Sequence, residues 1–217
     1  MVNLLILFIT VISFSFAKAG GVQVGNGGNI VRCQGESDFF SLEYIMTKNM
    51  YGNSVQPVQV RTLQDSLNRI SNLIAQKLPK LAPSFMEFVS QYQNSDSSKT
   101  YLWHQADITP TPSENLFLPS WCNNSFGTID VLQVIARTIT IDSKNHVQVH
   151  FDYDPDMMSE LEYTSTLQLS FLVVHEWIWN LTKDPKKNRK LDYLLHSTLM
   201  DSMTANEVAQ ELVKFGF

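Results

Sequence analysis

Residues 166–182 read T-L-Q-L-S-F-L-V-V-H-E-W-I-W-N-L-T, and this stretch decides the fold. Its apolar residues occupy every side of a 3.6-residue wheel instead of one stripe. That pattern marks a helix buried all round at the centre of a domain. A single ionisable pair, His175-Glu176, interrupts it. Burying such a pair is costly unless it is hydrogen-bonded, ion-paired or metal-bound.

Downstream of this helix, Lys183 to Lys190 forms a basic turn in which Asp184 is placed as an N-cap and Pro185 as the first helical residue. The helix that follows uses Leu191, Leu194, Leu195 and Leu199. Thr204-Ala-Asn-Glu207 is a capping box that opens a last helix through Val208, Leu212 and Val213.

Upstream, Leu63, Leu67, Ile70, Ile74, Leu78 and Leu81 keep helical spacing, with Thr62 as N-cap and Pro79 as the stop. Phe85, Phe88, Val89 and Tyr92 mark a second, shorter helix, antiparallel to the first. The mixed run 38–50 is read as a helix. Strands are expected at 30–33, 99–107, 131–141 and 146–151, the last two joined into a hairpin by a turn at 142–145. In the final strand Val147, Val149 and Phe151 face one way, while His146, Gln148, His150 and Asp152 face the other. The fold class predicted is α+β: one domain over 30–217, with a small antiparallel sheet or hairpin packed on several helices around the His-Glu helix.

The N-terminus reads as an address. An apolar run over 4–16 precedes Ala17-Lys-Ala19, the form of a secretory signal peptide cleaved after Ala19. Residues 20–29 hold five glycines and read as a flexible tether. Export to the periplasm or the secreted fraction sets the redox context of Cys33 and Cys122, which favours a disulfide over two buried thiols.

With 21 acidic against 16 basic residues in 217, the net charge is −5, which argues against a nucleic-acid partner. At 44% hydrophobic and 17% charged, the chain is too apolar to be disordered. No stretch after the signal is both long and apolar enough to span a membrane.

Chemistry is concentrated at the His-Glu helix. Zincin metallopeptidases carry H-E-x-x-H on a hydrophobic helix, with two His ligands one turn apart and the Glu activating water. Here the second ligand position is Trp179, so the motif is a degenerate H-E-x-x-W. His196, on the following helix, is the candidate second ligand. A Zn2+ site would then use His175 and His196, with Asp152 or Glu160 as the third ligand and Glu176 as base. The competing expectation is structural: His175 and Glu176 bonded to neighbours such as Arg189, with Trp177 and Trp179 filling the core. Nucleophilic catalysis lacks a G-x-S-x-G motif, and no spacing singles out a carboxylate pair for glycoside hydrolysis. The sequons at Asn123 and Asn180 matter only in a eukaryote.

These residues resemble a family of small secreted proteins from predatory and related Gram-negative bacteria. The likeness is carried by Gly25-Asn26-Gly27-Gly28 shortly before Cys33, by the mid-chain Cys122, by Val173-Val-His-Glu-Trp-Ile-Trp179, and by Arg189-Lys-Leu-Asp-Tyr-Leu-Leu-His-Ser197. The resemblance implies compartment and organism type, and a central place for the His-Glu element, without implying an activity. The function expected is an exported protein with a binding role at the envelope or at a protein surface. The alternative is a divergent zincin-like, Zn2+-dependent hydrolase.

Overall fold

The computed structural model describes residues 22–23, 28–48, 56–108, 118–122, 130–141 and 145–217. The signal peptide and its cleavage after Ala19 lie outside them. In chain order the elements are β1 (Val22–Gln23), β2 (Asn29–Arg32), β3 (Phe39–Ser41), α1 (Leu42–Thr47), α2 (Leu63–Lys77), α3 (Ala82–Ser90), β4 (Tyr101–Gln105), β5 (Asp130–Gln133), β6 (Ile135–Ile141), β7 (Val147–Tyr153), α4 (Pro155–Thr164), α5 (Thr166–Ile178), α6 (Pro185–His196), α7 (Thr198–Ser202) and α8 (Ala205–Phe215). This is the α+β architecture expected.

Two small sheets flank the helices, one in the order β1-β6-β7-β4 and the other β3-β2-β5. The expected hairpin is present as β6 and β7, antiparallel from Ile135↔Tyr153 to Ile141↔Val147, and β4 joins β7 in parallel. The β-rich run at 131–141 serves both sheets. It is cut at Val134, where the carbonyl of Gly28 accepts the N–H groups of Val134 and Ile135 at 2.9 and 3.2 Å. Inward-facing Tyr101, Trp103, Phe151 and Tyr153 pack on one another and on Phe88 of α3.

The helix expected over 38–50 begins later than read. Its first residues form β3, paired with β2, because Phe39 lies opposite Arg32 and its ring carries the Arg32 guanidinium 4.2 Å from the centroid. Ser41 ends the strand and caps α1, its hydroxyl accepting the N–H of Tyr44 at 3.2 Å. Gln168 of α5 accepts the Ser41 N–H at 2.9 Å, which docks this strand-to-helix corner on the central helix.

The tether expected over 20–29 is corrected at two places. Val22–Gln23 pairs with Ile139 and Thr138 at the edge of the larger sheet, and Gly28 and Asn29 are buried at the start of β2. Glycine is required at 28 by space: a Cβ there would stand 2.6 Å from Leu172 Cδ1 and 3.2 Å from Ile135 Cδ1.

The helix α5 is buried from Leu167 to Ile178 without a break, as the all-round apolar pattern requires. It is surrounded by α1, α2, α4 and α6. Arg69 of α2 closes the far end of α6, donating to the carbonyls of Leu195 and Ser197, each at 2.9 Å. Cys33 and Cys122 are disulfide-bonded, with Cα atoms 4.6 Å apart and a sequence separation of 89. The bridge sits in a small apolar cluster with Val31, Leu42 and Ile45.

Candidate functional site: the buried polar groups of the central helix

His175 and Glu176 sit one turn before the end of α5, and both are buried. Nε2 of His175 accepts the indole N–H of Trp179 at 2.6 Å. An acceptor at Nε2 places the proton of the neutral ring on Nδ1, which lies 3.1 Å from Oε1 of Glu43 on α1. Asn188 of α6 donates to the His175 carbonyl at 3.2 Å. Burial pulls the His175 pKa below its usual value, against the opposite pull of Glu43. The result is a Trp179–His175 hydrogen bond continued by a close approach of His175 to Glu43, without hydrogen-bond geometry, that brings α5 against α1.

Glu176 faces the other way, toward β6. The charge that acts on it most strongly is Arg137, which enters the core because strand alternation places it on the same side as Ile135 and Ile139. The Arg137 guanidinium donates to Oδ1 of Asn180. Among the described residues neither carboxyl oxygen of Glu176 has a hydrogen-bond partner of ordinary geometry, nor do Nε and Nη1 of Arg137. Burial pushes the Glu176 pKa up to about 8, although Arg137 and the backbone of Gly28 draw it back. At neutral pH this carboxyl therefore holds its proton.

His196, the other expected ligand, ends α6 in a separate chain. Its Nδ1 donates to the Asp192 carbonyl at 2.9 Å and lies 3.1 Å from the Asp192 carboxyl. Its Nε2 accepts from the Ser170 hydroxyl at 2.8 Å, and Ser170 lies 2.6 Å from the hydroxyl of Ser66 on α2. The ring stacks on Phe171 with centroids 4.0 Å apart. Burial lowers the His196 pKa to about 3. Burial, helped by Glu43, raises that of Asp192 well above the carboxylate range.

The donor set does not fit a zinc ion. One ion needs two lone pairs that converge, and Nε2 of His175 and of His196 are instead each directed at a different buried donor, Trp179 and Ser170. The carboxyl that would serve as base is protonated and faces Arg137. Of the third ligands considered, Asp152 points to the face of its strand opposite the core, and Glu160 is exposed on α4. Among the described residues no group of three or more His, Cys, Asp or Glu is placed to hold a metal.

The Asp192–His196–Ser170 order has the connectivity of a nucleophile, a base and an orienting acid. The parts needed to use it are missing. Ser170 lies in the interior of α5, where neighbouring N–H groups are spent in the helix and none is left to receive an oxyanion. A histidine of pKa about 3 is a weak general base at neutral pH. The chain instead pins α2, α5 and α6 together.

Sequence reasoning placed His175, Glu176 and His196 at the centre but missed Glu43, Arg137, Ser170 and Asp192. Two of these carried a signal. Arg137 breaks the apolar side of a strand, and Ser170 breaks a helix apolar all round. Trp177 is tied down as expected, its N–H donated to Ser84 at 3.2 Å. The chain matches no protein-family model, no curated protein and no solved structure.

Proposed function

We propose that this is an exported protein that acts by binding, at the cell envelope or at a protein surface, and that its His-Glu helix is structural. The reading is carried by the closed state of that helix. His175 is 3% exposed, His196 1% and Glu176 0%, and the imidazole nitrogens of both histidines face partners inside the protein. A hydrolytic centre needs substrate access and a base able to take a proton, and Glu176 offers neither. Export is supported by the Cys33–Cys122 bridge, which suits an oxidising compartment. Among the described residues no helix is long and apolar enough to cross a membrane.

The test uses the full precursor expressed in a Gram-negative host. The reading expects protein in the periplasm or medium that begins at Gly20 and resists thiol alkylation until reduced. It also expects the purified form to co-sediment saturably with isolated envelopes or with protease-sensitive envelope components. Retention in the cytoplasm with free thiols overturns export. Stoichiometric zinc that survives loss of every surface histidine, together with peptidase activity, overturns the binding role in favour of the zincin-like alternative.

A further inference from the structure

The parallel register of β4 and β7 sets His104 opposite Asp152 and Leu102 opposite His150. Alternate residues of a strand share a face. His104, His150 and Asp152 therefore stand together on the side of the sheet away from Tyr101, Trp103, Phe151 and Tyr153, which line the core. Both histidines are half-buried. Their rings stack with centroids 5.5 Å apart and planes 21° from parallel. Nε2 of His104 lies 3.3 Å from Nδ1 of His150.

We propose that His104 Nε2 and His150 Nδ1 form a surface site for one divalent transition-metal ion of the imidazole-preferring class, Zn2+ or Cu2+, with water completing its coordination.

The spacing argues for this first. Two nitrogens bound to one tetrahedral zinc at about 2.0–2.1 Å stand about 3.3–3.4 Å from each other. The pair in the protein is already 3.3 Å apart, so the span suits the ion, and binding turns each ring until its lone pair points between the two nitrogens. Orientation argues second. Nε2 of His150 lies 2.8 Å from the hydroxyl of Thr140 on the neighbouring strand. A proton on Nε2 donated to that hydroxyl leaves Nδ1 as the lone pair, the outer-shell arrangement that fixes a metal-ligating histidine. In the metal-free protein His104 donates its Nε2–H to that lone pair. On binding, the His104 proton moves to its own Nδ1, and both facing nitrogens become ligands with no net proton released. Charge argues third. Asp152 is close enough to act on His150 electrostatically, and its negative charge favours a cation as it favours a proton.

With two protein ligands the ion keeps exchangeable water positions. The site thus differs in kind from a closed structural zinc, and it is independent of the core histidines His175 and His196.

The test titrates the mature protein with Zn2+ against a chromophoric chelator and with Cu2+ by electron paramagnetic resonance. One ion per chain is expected, with two-nitrogen hyperfine structure for copper. His104→Ala and His150→Ala should each weaken binding by about tenfold or more, and Thr140→Val by about tenfold through loss of the orienting bond. His146→Ala, just before the start of the same strand, should leave affinity unchanged. Thermal melts of the metal-free variants that match the parent confirm that each is folded. Absence of binding at millimolar metal, or affinity unchanged in the double variant His104→Ala/His150→Ala, overturns the proposal. The second result would place any bound metal elsewhere on the protein.

Discussion

The indole N–H of Trp179 is donated to Nε2 of His175 across 2.6 Å. The residue standing where an H-E-x-x-H helix has its second ligand thus occupies the lone pair of the first. One turn of helix brings the two side chains together, so the same i,i+4 geometry that builds a zinc site builds a closed hydrogen bond here.

Replacing Trp179 with Phe keeps most of the apolar volume and removes the donor. His175 Nε2 is then a buried acceptor without a partner, and the stability lost should be about 1–3 kcal/mol. Urea unfolding of the Trp179→Phe protein measures it. A loss below a few tenths would mean that the His175 ring is held by Glu43 alone.

Stability should have a plateau in mildly acidic solution and fall on either side. Glu176, with a folded pKa of about 8, and Asp192, also raised, keep protons that the unfolded chain gives up. Each lowers stability as pH rises past its unfolded value. His175 and His196, both depressed, refuse protons that the unfolded chain takes up below about 6.5. Each raises stability with pH up to that point. Between about pH 4.5 and 6.5 the raised carboxyls and the depressed histidines act in opposite directions, which flattens the slope. From there to about 8 the histidines drop out and stability declines, Glu176 contributing about 1.4 kcal/mol per pH unit and Asp192 acting in the same direction. Glu176→Gln should flatten that alkaline limb, as urea midpoints across the range would reveal.

Ser170→Ala should cost more than Ser66→Ala. The first leaves the Nε2 acceptor of His196 without a donor, worth about 1–3 kcal/mol. The second removes the end of the chain, worth about 1 kcal/mol. A double-mutant cycle should give a coupling of about 0.5 kcal/mol or more, since the two hydroxyls lie 2.6 Å apart. Additive losses would show that Ser66 and Ser170 act separately.

Local signals made much of this fold legible. Thr62 accepts the N–H of Asp65, Asp184 caps α6, and Thr204 with Glu207 forms the capping box, all at the residues where the sequence placed them. Each depends on partners a few residues apart. The two histidines and Glu176 were equally legible as polar intrusions, but their partners were not. Glu43 reaches His175 over more than a hundred residues of chain, and Arg137 meets Asn180 from a different sheet layer. No periodicity encodes such meetings. The strand β3 was missed for a similar reason, because only its pairing with β2 separates Phe39–Ser41 from the helix that follows.

Loss of the disulfide should be tolerated less well than any single core hydrogen bond. Closing a loop of 89 residues restricts the unfolded chain by about 4–5 kcal/mol in the loop-entropy picture. Cys33→Ser/Cys122→Ser should lower the urea midpoint by a matching amount with the slope little changed. An unchanged midpoint would place the bridge outside the cooperative unit.

Gly28 links the glycine-rich segment to the central helix, and Gly28→Ala tests that link. A methyl group there meets Leu172 Cδ1 at 2.6 Å and Cγ at 3.0 Å, with Ile135 Cδ1 at 3.2 Å behind. Leu172 is fully buried in α5 and has little room to turn away. Overpacking of this kind costs about 1–3 kcal/mol. The carbonyl of Gly28 also holds the switch between the two sheets at Val134 and Ile135, so a shift of the backbone to relieve the clash strains both. A Gly28→Ala protein with parental stability would mean that the segment yields freely, as a tether does. A loss in the expected range, smaller in a Leu172→Ala background than in the parent, would show that the glycine is kept for the approach of α5.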